Sequence, residues 1–442
     1  MKISISGVRG IFGNDLTLQN ILEFSRAFSK LIKKNVCVLA RDTRASSRII
    51  SETACASLME QGIDVHNLGI APTPFAFREA RKYGAGLIVT ASHNPLHWNG
   101  LKFVLDGRGI FVHELQEMTK LLASKFEPKL IAKEFSITSN YIEELAKFIG
   151  TITSKPNVAV DTAGGAADGH ADTILTKIGC GVINTKDVFG KPSKTPDPTS
   201  DELLDLRNLV VSSKSDIGFA FDLDGDRLVM IDKDGRKLNA DTTLLLCVSK
   251  AMEMGVKDIV IGVDTSNAVK EVAETNSCKV TYSKVGEANV ISVMLEKGIT
   301  VGGEGSSGGF IMSEFNMCRD GMLASAMIAS MLKSKKFDEY MQIASRYHLI
   351  RGKVTADSNL HSAILESMID DLEHECSSVD SLDGVRGIFD DSSWILIRGS
   401  NTEHSMRISV ESKEEEKVRT LYKRYEQKVK DAYEKVSRTA DN

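Results

Sequence analysis

Asp222, Asp224 and Asp226 stand at alternate positions in Asp222-Leu223-Asp224-Gly225-Asp226-Arg227, a set of carboxylates able to hold a metal ion. On an extended strand the outer two would lie about 13 Å apart, too far to share one ion. The loop must therefore curl, and Gly225 permits the turn. Turned inward, the carboxylates repel one another unless a cation sits between them, and hard oxygen ligands suit magnesium. The opening residues also match a calcium EF-hand loop. That reading fails because Arg227 stands where such a loop needs glycine and Lys233 where it needs a bidentate glutamate. The plainer alternative is an acidic surface turn, but Ala220-Phe221 before it and Leu228-Val229-Met230-Ile231 after it place the loop between two buried strands.

A second chemical stretch is Val89-Thr90-Ala91-Ser92-His93-Asn94-Pro95. The apolar run Leu87-Ile88-Val89 predicts a buried strand that delivers Ser92 to a loop at its carboxyl end, displayed rather than packed, with Asn94 and Pro95 stopping the ladder. The alternative is a turn in which Ser92 and Asn94 only cap backbone groups. A cation with open positions beside a displayed serine fits phosphoryl transfer, the metal neutralising phosphate oxygens while the serine oxygen gives or receives the group. A hydrolase triad fits less well. Ser92 lacks a Gly-X-Ser-X-Gly elbow, and His93, adjacent in an extended loop, is expected to point away from it.

Thr90-Ala91-Ser92-His93-Asn94-Pro95, with Asn99-Gly100-Leu101-Lys102-Phe103 after it, resembles the active-site segment of the α-D-phosphohexomutases, enzymes that move a phosphate between the 1- and 6-positions of a sugar. The resemblance implies that Ser92 carries the phosphoryl group. It implies that Asp222, Asp224 and Asp226 bind Mg2+ together with an oxygen of phosphorylated Ser92, and that His93 contacts the same centre. Arg9, in Ser6-Gly7-Val8-Arg9-Gly10, resembles the family's first-domain arginine and is a candidate transition-state stabiliser. Lys102 resembles a lysine proposed as general acid or base, a role that needs its pKa lowered by burial or nearby positive charge. Arg227, which closes the Asp-X-Asp-X-Asp-Arg loop, is expected among the substrate contacts.

Two further segments are candidate substrate readers. Gly302-Gly303-Glu304-Gly305-Ser306-Ser307-Gly308-Gly309 offers Glu304 and Ser306 to sugar hydroxyls. It resembles the family's sugar loop, Gly-Glu-X-Ser-Gly often followed by histidine, but has an extra serine and no histidine. Lys284-Val285-Gly286-Glu287 resembles a neighbouring lysine motif. Arg398-Gly399-Ser400-Asn401-Thr402-Glu403, with Arg407 beyond, combines turn amides, hydroxyls and two arginines into an oxyanion nest. In isolation a hairpin turn with a solvent arginine is equally plausible. The family's fourth-domain phosphate loop has the same order, so Arg398, Ser400, Asn401, Thr402 and Arg407 are expected to hold phosphate, with His404 in place of the usual proline.

These residues need a scaffold of several domains. With 442 residues the chain is too long for one ordinary core. Val36-Cys37-Val38-Leu39-Ala40, Val158-Ala159-Val160 and Ile259-Val260-Ile261-Gly262-Val263 each lead into Asp-Thr at 42–43, 161–162 and 264–265, read as a helix N-cap signal before a helix. Recurrence at this spacing predicts similar tandem α/β domains, although strand, cap and helix also recur by chance in α/β proteins. The boundaries are set at 1–151, 152–237, 238–344 and 345–442. The last region ends in a charged segment, Glu411 to Val436, whose Val418, Leu421, Tyr422, Tyr425, Val429 and Tyr433 predict an amphipathic surface helix packed on its own domain. The family plan agrees: three similar α/β domains with mixed sheets and a smaller α+β C-terminal domain around a central cleft. The proline-rich stretch 191–198 is read as an exposed loop.

A formal net charge of −5 with mixed signs argues against nucleic acid or an anionic membrane as partner. No apolar stretch has the length of a membrane span, Met1-Lys2-Ile3-Ser4 lacks a signal-peptide core, and a cytoplasmic protein is expected. Seven scattered cysteines without a Cys-X-X-Cys pair indicate neither a disulfide framework nor a structural zinc. The expectation for function is a magnesium-dependent phosphohexomutase acting on hexose phosphates, with a hexose 1,6-bisphosphate as intermediate and activator. Within the family the Glu304 loop is most similar to archaeal phosphoglucosamine mutases; phosphomannomutase or phosphoglucomutase is the alternative. From other classes, a metal-dependent sugar phosphatase and a non-catalytic sugar-phosphate sensor fit the same motifs. The sequence does not specify an oligomeric state.

Overall fold

The computed structural model describes residues 1–129, 132–185, 188–191, 195–400 and 404–440. Three of its four sheets share one plan. In the second unit the strand Asn157–Asp161 is flanked by Gly181–Asn184 and Ile217–Phe221, both parallel to it, and Leu228–Asp232 closes the sheet antiparallel to Ile217–Phe221. Asp258–Gly262, Lys279–Ser283, Val301–Glu304 and Gly309–Met312 repeat this order and direction in the third. In the first, Val36–Arg41, Asp64–Ile70, Ala85–Val89 and Trp98–Leu105 do the same within an eight-stranded sheet extended by Gly7–Ile11, Lys2–Ser4, Arg108–Gly109 and Glu134–Ser136. The first strand of each unit is an apolar run because it lies mid-sheet with helices on both faces.

The Asp-Thr pairs do not cap helices. Asp42 accepts from the Arg44 N–H at 3.1 Å and Asp161 from the Ala163 N–H at 2.9 Å, so both side chains close local turns. The helices start later, at Ser47–Glu60 and His170–Lys177; in the third unit Ser266, not Asp264, caps Asn267–Thr275.

The units are joined by apolar packing. Gly321–Met331 is apolar on every side, as a fully enclosed helix must be, and it packs against Tyr141–Ile149, His170–Lys177 and Ala240–Glu253. The fourth unit is an antiparallel five-stranded sheet ordered His348–Thr355, Ser405–Ser412, Trp394–Gly399, Val385–Ile388, Ser378–Asp380, covered by His361–Glu375 and Glu415–Ala440. Val418, Leu421, Tyr425 and Val429 are buried on that domain, the face the spacing predicts. Glu411 is not part of the helix. It pairs with Leu349 and Trp394 in the sheet and is fully buried, so the charged segment begins only after the strand ends.

Candidate functional site

Because the sheets share one plan, so do their loops. The turn between the third and fourth strands of each α/β unit carries Ser92 in the first, Asp222 to Asp226 in the second and the Glu304 loop in the third. The three turns converge on a cleft of about 980 Å³, lined from successive units by His93, Arg227, Glu304 and Arg398 among others.

Ser92 is held in the left-handed region, φ +48°, its N–H donating to Thr90 Oγ1 at 2.8 Å. It is fully buried rather than displayed, because the second unit's loop closes over it: Ser92 Oγ donates to Asp222 Oδ2 at 2.8 Å. The same turn brings His93 back instead of away, with Nδ1 3.4 Å from Ser92 Oγ; side-chain alternation fails once the loop leaves the extended region. Arg227 Nη2 lies 3.3 Å from His93 Nε2. A guanidinium has only donors, so this contact fixes the histidine proton on Nδ1, facing the serine. Burial, then Arg227 and Arg9, push the His93 pKa well below its usual value and keep the ring neutral. In this tautomer His93 cannot take the Ser92 proton, which removes the hydrolase-triad arrangement.

The aspartate loop curls as its spacing requires. Gly225 has φ +71°, and Asp222 Oδ1 accepts the N–H groups of Asp226 at 3.0 Å and Arg227 at 3.1 Å. One oxygen from each of Asp222, Asp224 and Asp226 lies within 4.8 Å of the others, all three residues being buried. Burial, then Asp224 and Asp226, drive the Asp222 pKa well above the ordinary carboxylate value. Asp224 Oδ1 and Asp226 Oδ1 are buried without a hydrogen-bond partner. Crowded, enclosed oxygen donors with unused lone pairs fit a small hard dication. Thr73, at the start of the helix Thr73–Tyr83, donates its hydroxyl to Asp224 Oδ2 at 2.7 Å and its N–H to the Asp224 carbonyl at 2.8 Å.

Around this centre Arg9 Nη1 donates to Asn94 Oδ1 at 2.9 Å and reaches the Ala91 carbonyl at 3.4 Å. Lys102 is buried with Nζ 3.0 Å from Asp226 Oδ2 and 4.0 Å from Glu287. Its pKa is shifted up, opposite to the expectation for a general base: burial disfavours the charge, but Asp226, Glu287 and Asp224 outweigh it. Glu304 is buried, which pushes its carboxyl up against the pull of Arg319, and Ser306 lines the cleft beside it. Lys284 is exposed and does not line the cleft, whereas its neighbours Val285 and Gly286 do.

On the fourth unit Arg398, Arg407 and Lys353 are directly paired across three adjacent strands. Cross-strand partners point to one face, and all three side chains line the cleft with Ser400. A row of like charges at a cleft wall suits a phosphate. Asn401 and Thr402 lie outside the described residues, as do 192–194 of the proline-rich stretch.

Sequence reasoning missed three contributors. Lys353 carried a faint signal, its alternation with Arg351 along one strand face. Arg44 is buried and gives its guanidinium to the carbonyls of Ser92, Asn94, Pro95 and Trp98, with Asp42 paired at 3.0 Å, so it fixes the shape of the serine loop. Arg319 reaches Asp226 at 2.8 Å and Glu304 at 3.2 Å.

The chain matches the families described as phosphoglucomutase/phosphomannomutase alpha/beta/alpha domain I over residues 1–129, domain II over 139–235 and domain III over 239–347. It is 32% identical over 438 residues to a protein named "Probable phosphoglucosamine mutase" from Methanobrevibacter smithii, covering 94% of this chain and 95% of that one. It is equally 32% identical, over 435 residues, to a "Phosphoglucomutase/phosphomannomutase" from Thermococcus kodakarensis, covering 93% and 95%. Its fold is similar to that of a phosphoglucomutase/phosphomannomutase family protein from Burkholderia thailandensis, with TM-score 0.82 at 22% identity over 98% of both chains. It is also similar to Aspergillus fumigatus N-acetylphosphoglucosamine mutase in complex with GlcNAc-6P and magnesium, with TM-score 0.57 at 15% identity over 89% of this chain and 82% of that one. With three successive domains matched and relatives aligned along nearly its whole length, the chain belongs to the phosphoglucomutase/phosphomannomutase family.

Proposed function

We propose that the protein is a magnesium-dependent phosphoglucosamine mutase, interconverting glucosamine 6-phosphate and glucosamine 1-phosphate through phosphorylated Ser92 and a bisphosphorylated sugar. The observation that carries the phosphoryl-transfer reading is the 2.8 Å contact between Ser92 Oγ and Asp222 inside the carboxylate cluster, beside a cleft whose lining includes Arg398, Arg407 and Lys353; the relatives named phosphoglucosamine mutase favour glucosamine as the sugar. Asp222, Asp224 and Asp226, with an oxygen of the phosphoryl group on Ser92, would hold Mg2+, which would supply charge neutralisation at the transferring phosphoryl group. In the first half-reaction the Ser92 O–P bond breaks as a sugar hydroxyl oxygen bonds to phosphorus, and the hydroxyl's proton ends on the departing Ser92 Oγ. In the second, the O–P bond to the sugar's other phosphate breaks as Ser92 Oγ bonds to that phosphorus, and the serine proton ends on the sugar oxygen released. Arg9 and neutral His93 orient the serine loop and Lys102, held charged, stabilises negative charge. Glu304 and Ser306 read sugar hydroxyls, and Arg227, beside His93 on the cleft lining, adds a substrate contact.

Arg398, Ser400, Asn401, Thr402, Arg407 and Lys353 would grip whichever phosphate is not reacting. Exposed Lys284 would reach substrate only if the cleft closes. The sheets support domain divisions near residues 151, 237 and 344. Among the described residues no helix is long and apolar enough to cross a membrane, and we place the enzyme in the cytoplasm.

The relative from Thermococcus kodakarensis favours a second substrate reading, mannose or glucose phosphates, on equal identity. A coupled assay of glucosamine, mannose and glucose phosphates, with hexose 1,6-bisphosphate supplied, separates the readings. The highest kcat/KM is expected for glucosamine phosphate. Stoichiometric release of free phosphate would instead indicate a phosphatase, and binding without phosphoserine turnover a sensor.

A further inference from the structure

Arg319 lies outside every motif the sequence singles out, yet it stands between them. It is 8% exposed, with one edge on the cleft. Its Nη2 donates to Asp226 Oδ2 at 2.8 Å and its Nη1 to Glu304 Oε2 at 3.2 Å, while its backbone N–H donates to Glu287 Oε1 at 3.1 Å. These carboxylates belong to the aspartate loop, the end of the strand Val301–Glu304 and the helix Glu287–Lys297. A guanidinium is a rigid planar fork, so two such bonds set a distance as well as neutralising charge. Lys102 already neutralises the same Asp226 oxygen from 3.0 Å, and what Arg319 adds is the bond to Glu304. The glycine-rich loop makes room for this: a Cβ at Gly309 would stand 2.3 Å from Arg319 Cδ, so a side chain there and the arginine exclude each other.

We propose that Arg319 is a positioning residue that fixes the separation of Glu304 from the aspartate loop, so that a sugar hydroxyl on Glu304 and the phosphoryl group at Ser92 fall into register. The proposal rests on the phosphohexomutase reading and adds a coupling between sugar recognition and the metal centre. A lysine at 319 keeps the charge and loses the fork. A methionine loses both.

The test measures kcat and KM for glucosamine 6-phosphate and, by calorimetry, the affinities for that sugar phosphate and for Mg2+ added alone. Arg319→Lys is expected to lower kcat/KM about 100-fold, the scale of a small misplacement at the reacting centre, with Mg2+ affinity unchanged. Arg319→Met should lose at least as much activity while binding Mg2+ more tightly, because a cation beside Asp226 is gone. Glu304→Gln alone and combined with Arg319→Lys completes a cycle, and the double variant should lose clearly less than the product of the two single losses, since both break one link, Glu304's own contact with the sugar accounting for the remainder. Wild-type kcat/KM in Arg319→Lys, additive losses in the double variant, or Mg2+ affinity falling in Arg319→Met would each overturn the proposal. If Arg319→Met does not fold, Arg319→Lys and the double variant decide it. Should the wild type bind the sugar phosphate without turning it over, the mutase reading fails; a sugar-phosphate affinity lost in Arg319→Lys at constant Mg2+ affinity then upholds the positioning role, and an unchanged one ends it.

Discussion

Ser92 Oγ and Asp222 Oδ2 are 2.8 Å apart, although 130 residues separate them in the chain. The serine that would carry phosphate thus shares a hydrogen bond with the carboxylate cluster that would carry the cation.

Replacing Ser92 with Ala should reduce mutase turnover to background and leave the fold intact. The alanine inherits the same φ, +48°, and the lost hydroxyl donates to a carboxylate that neighbouring aspartates already crowd. Intact-protein mass should show one phosphate on the active wild type and none on the variant, and the melting temperature should move by a few degrees at most. Wild-type turnover by Ser92→Ala would exclude the phosphoserine route.

Asp224→Asn keeps an acceptor for Thr73 and removes a charge from a cluster whose ligand atoms lie within 4.8 Å. The Mg2+ midpoint of activity is expected to rise by at least about tenfold, since even partners outside the ligand shell are worth that much. A titration with an unchanged midpoint and rate would remove Asp224 from the ligand set.

Arg44→Met would take the guanidinium away from four loop carbonyls and from Asp42 in a buried site, leaving Asp42 its bonds from Ser47 and Thr90 but no cation. Breaking a buried pair in this way costs on the order of 3–5 kcal/mol. Urea unfolding should register that loss, and activity of the folded fraction should fall because the serine loop is no longer held. Arg44→Lys cannot reproduce a fork that reaches so many carbonyls, so it should rescue little.

Arg398→Ala should weaken 1-phosphate and 6-phosphate substrates alike, because one row of cations would serve whichever phosphate is not reacting. We also expect more phosphate to leak to water, as a poorly gripped substrate leaves the cleft less firmly closed. Kinetics in both directions with phosphate release followed in parallel tests this; a loss confined to one substrate contradicts a shared site.

Glu411 gives the protein a pH-dependent stability unconnected with chemistry. It is enclosed between the third and fourth units, accepting from Trp394 Nε1 and the Asn267 N–H at 2.8 Å each, with the Ser266 side chain beside it. Burial, with Asp241 adding to it, raises its pKa to about 7 against the hydrogen bonds that favour the anion. The folded state therefore holds a proton that the unfolded state releases near pH 4.5. Stability from this group is full below that pH and is lost as pH rises toward 7, by about 3 kcal/mol. Glu411→Gln, compared with wild type by thermal unfolding from pH 5 to 8, should flatten that slope and be the more stable at pH 8. Parallel pH curves for the two proteins would refute the assignment.

Much of this was legible in the order of residues. The alternate carboxylates with a glycine among them determine a curled oxygen cluster, because charge spacing and glycine's access to positive φ are local properties. Apolar runs of strand length, recurring at domain intervals, likewise point to repeated α/β units, and the matching strand orders show them. The tertiary structure decided where these parts meet. That three functional turns occupy the same place in three sheets follows from strand order, which no local pattern encodes. His93 turning toward Ser92 depends on a left-handed residue that only the packed loop enforces. The upward shift of Lys102 depends on Asp226, 124 residues away, and Arg319 acquires a role only because three carboxylates from three elements converge on it. Sequence spacing fixes what a short segment can do; electrostatics and register act through space, and distant residues become neighbours only when the units close on one cleft.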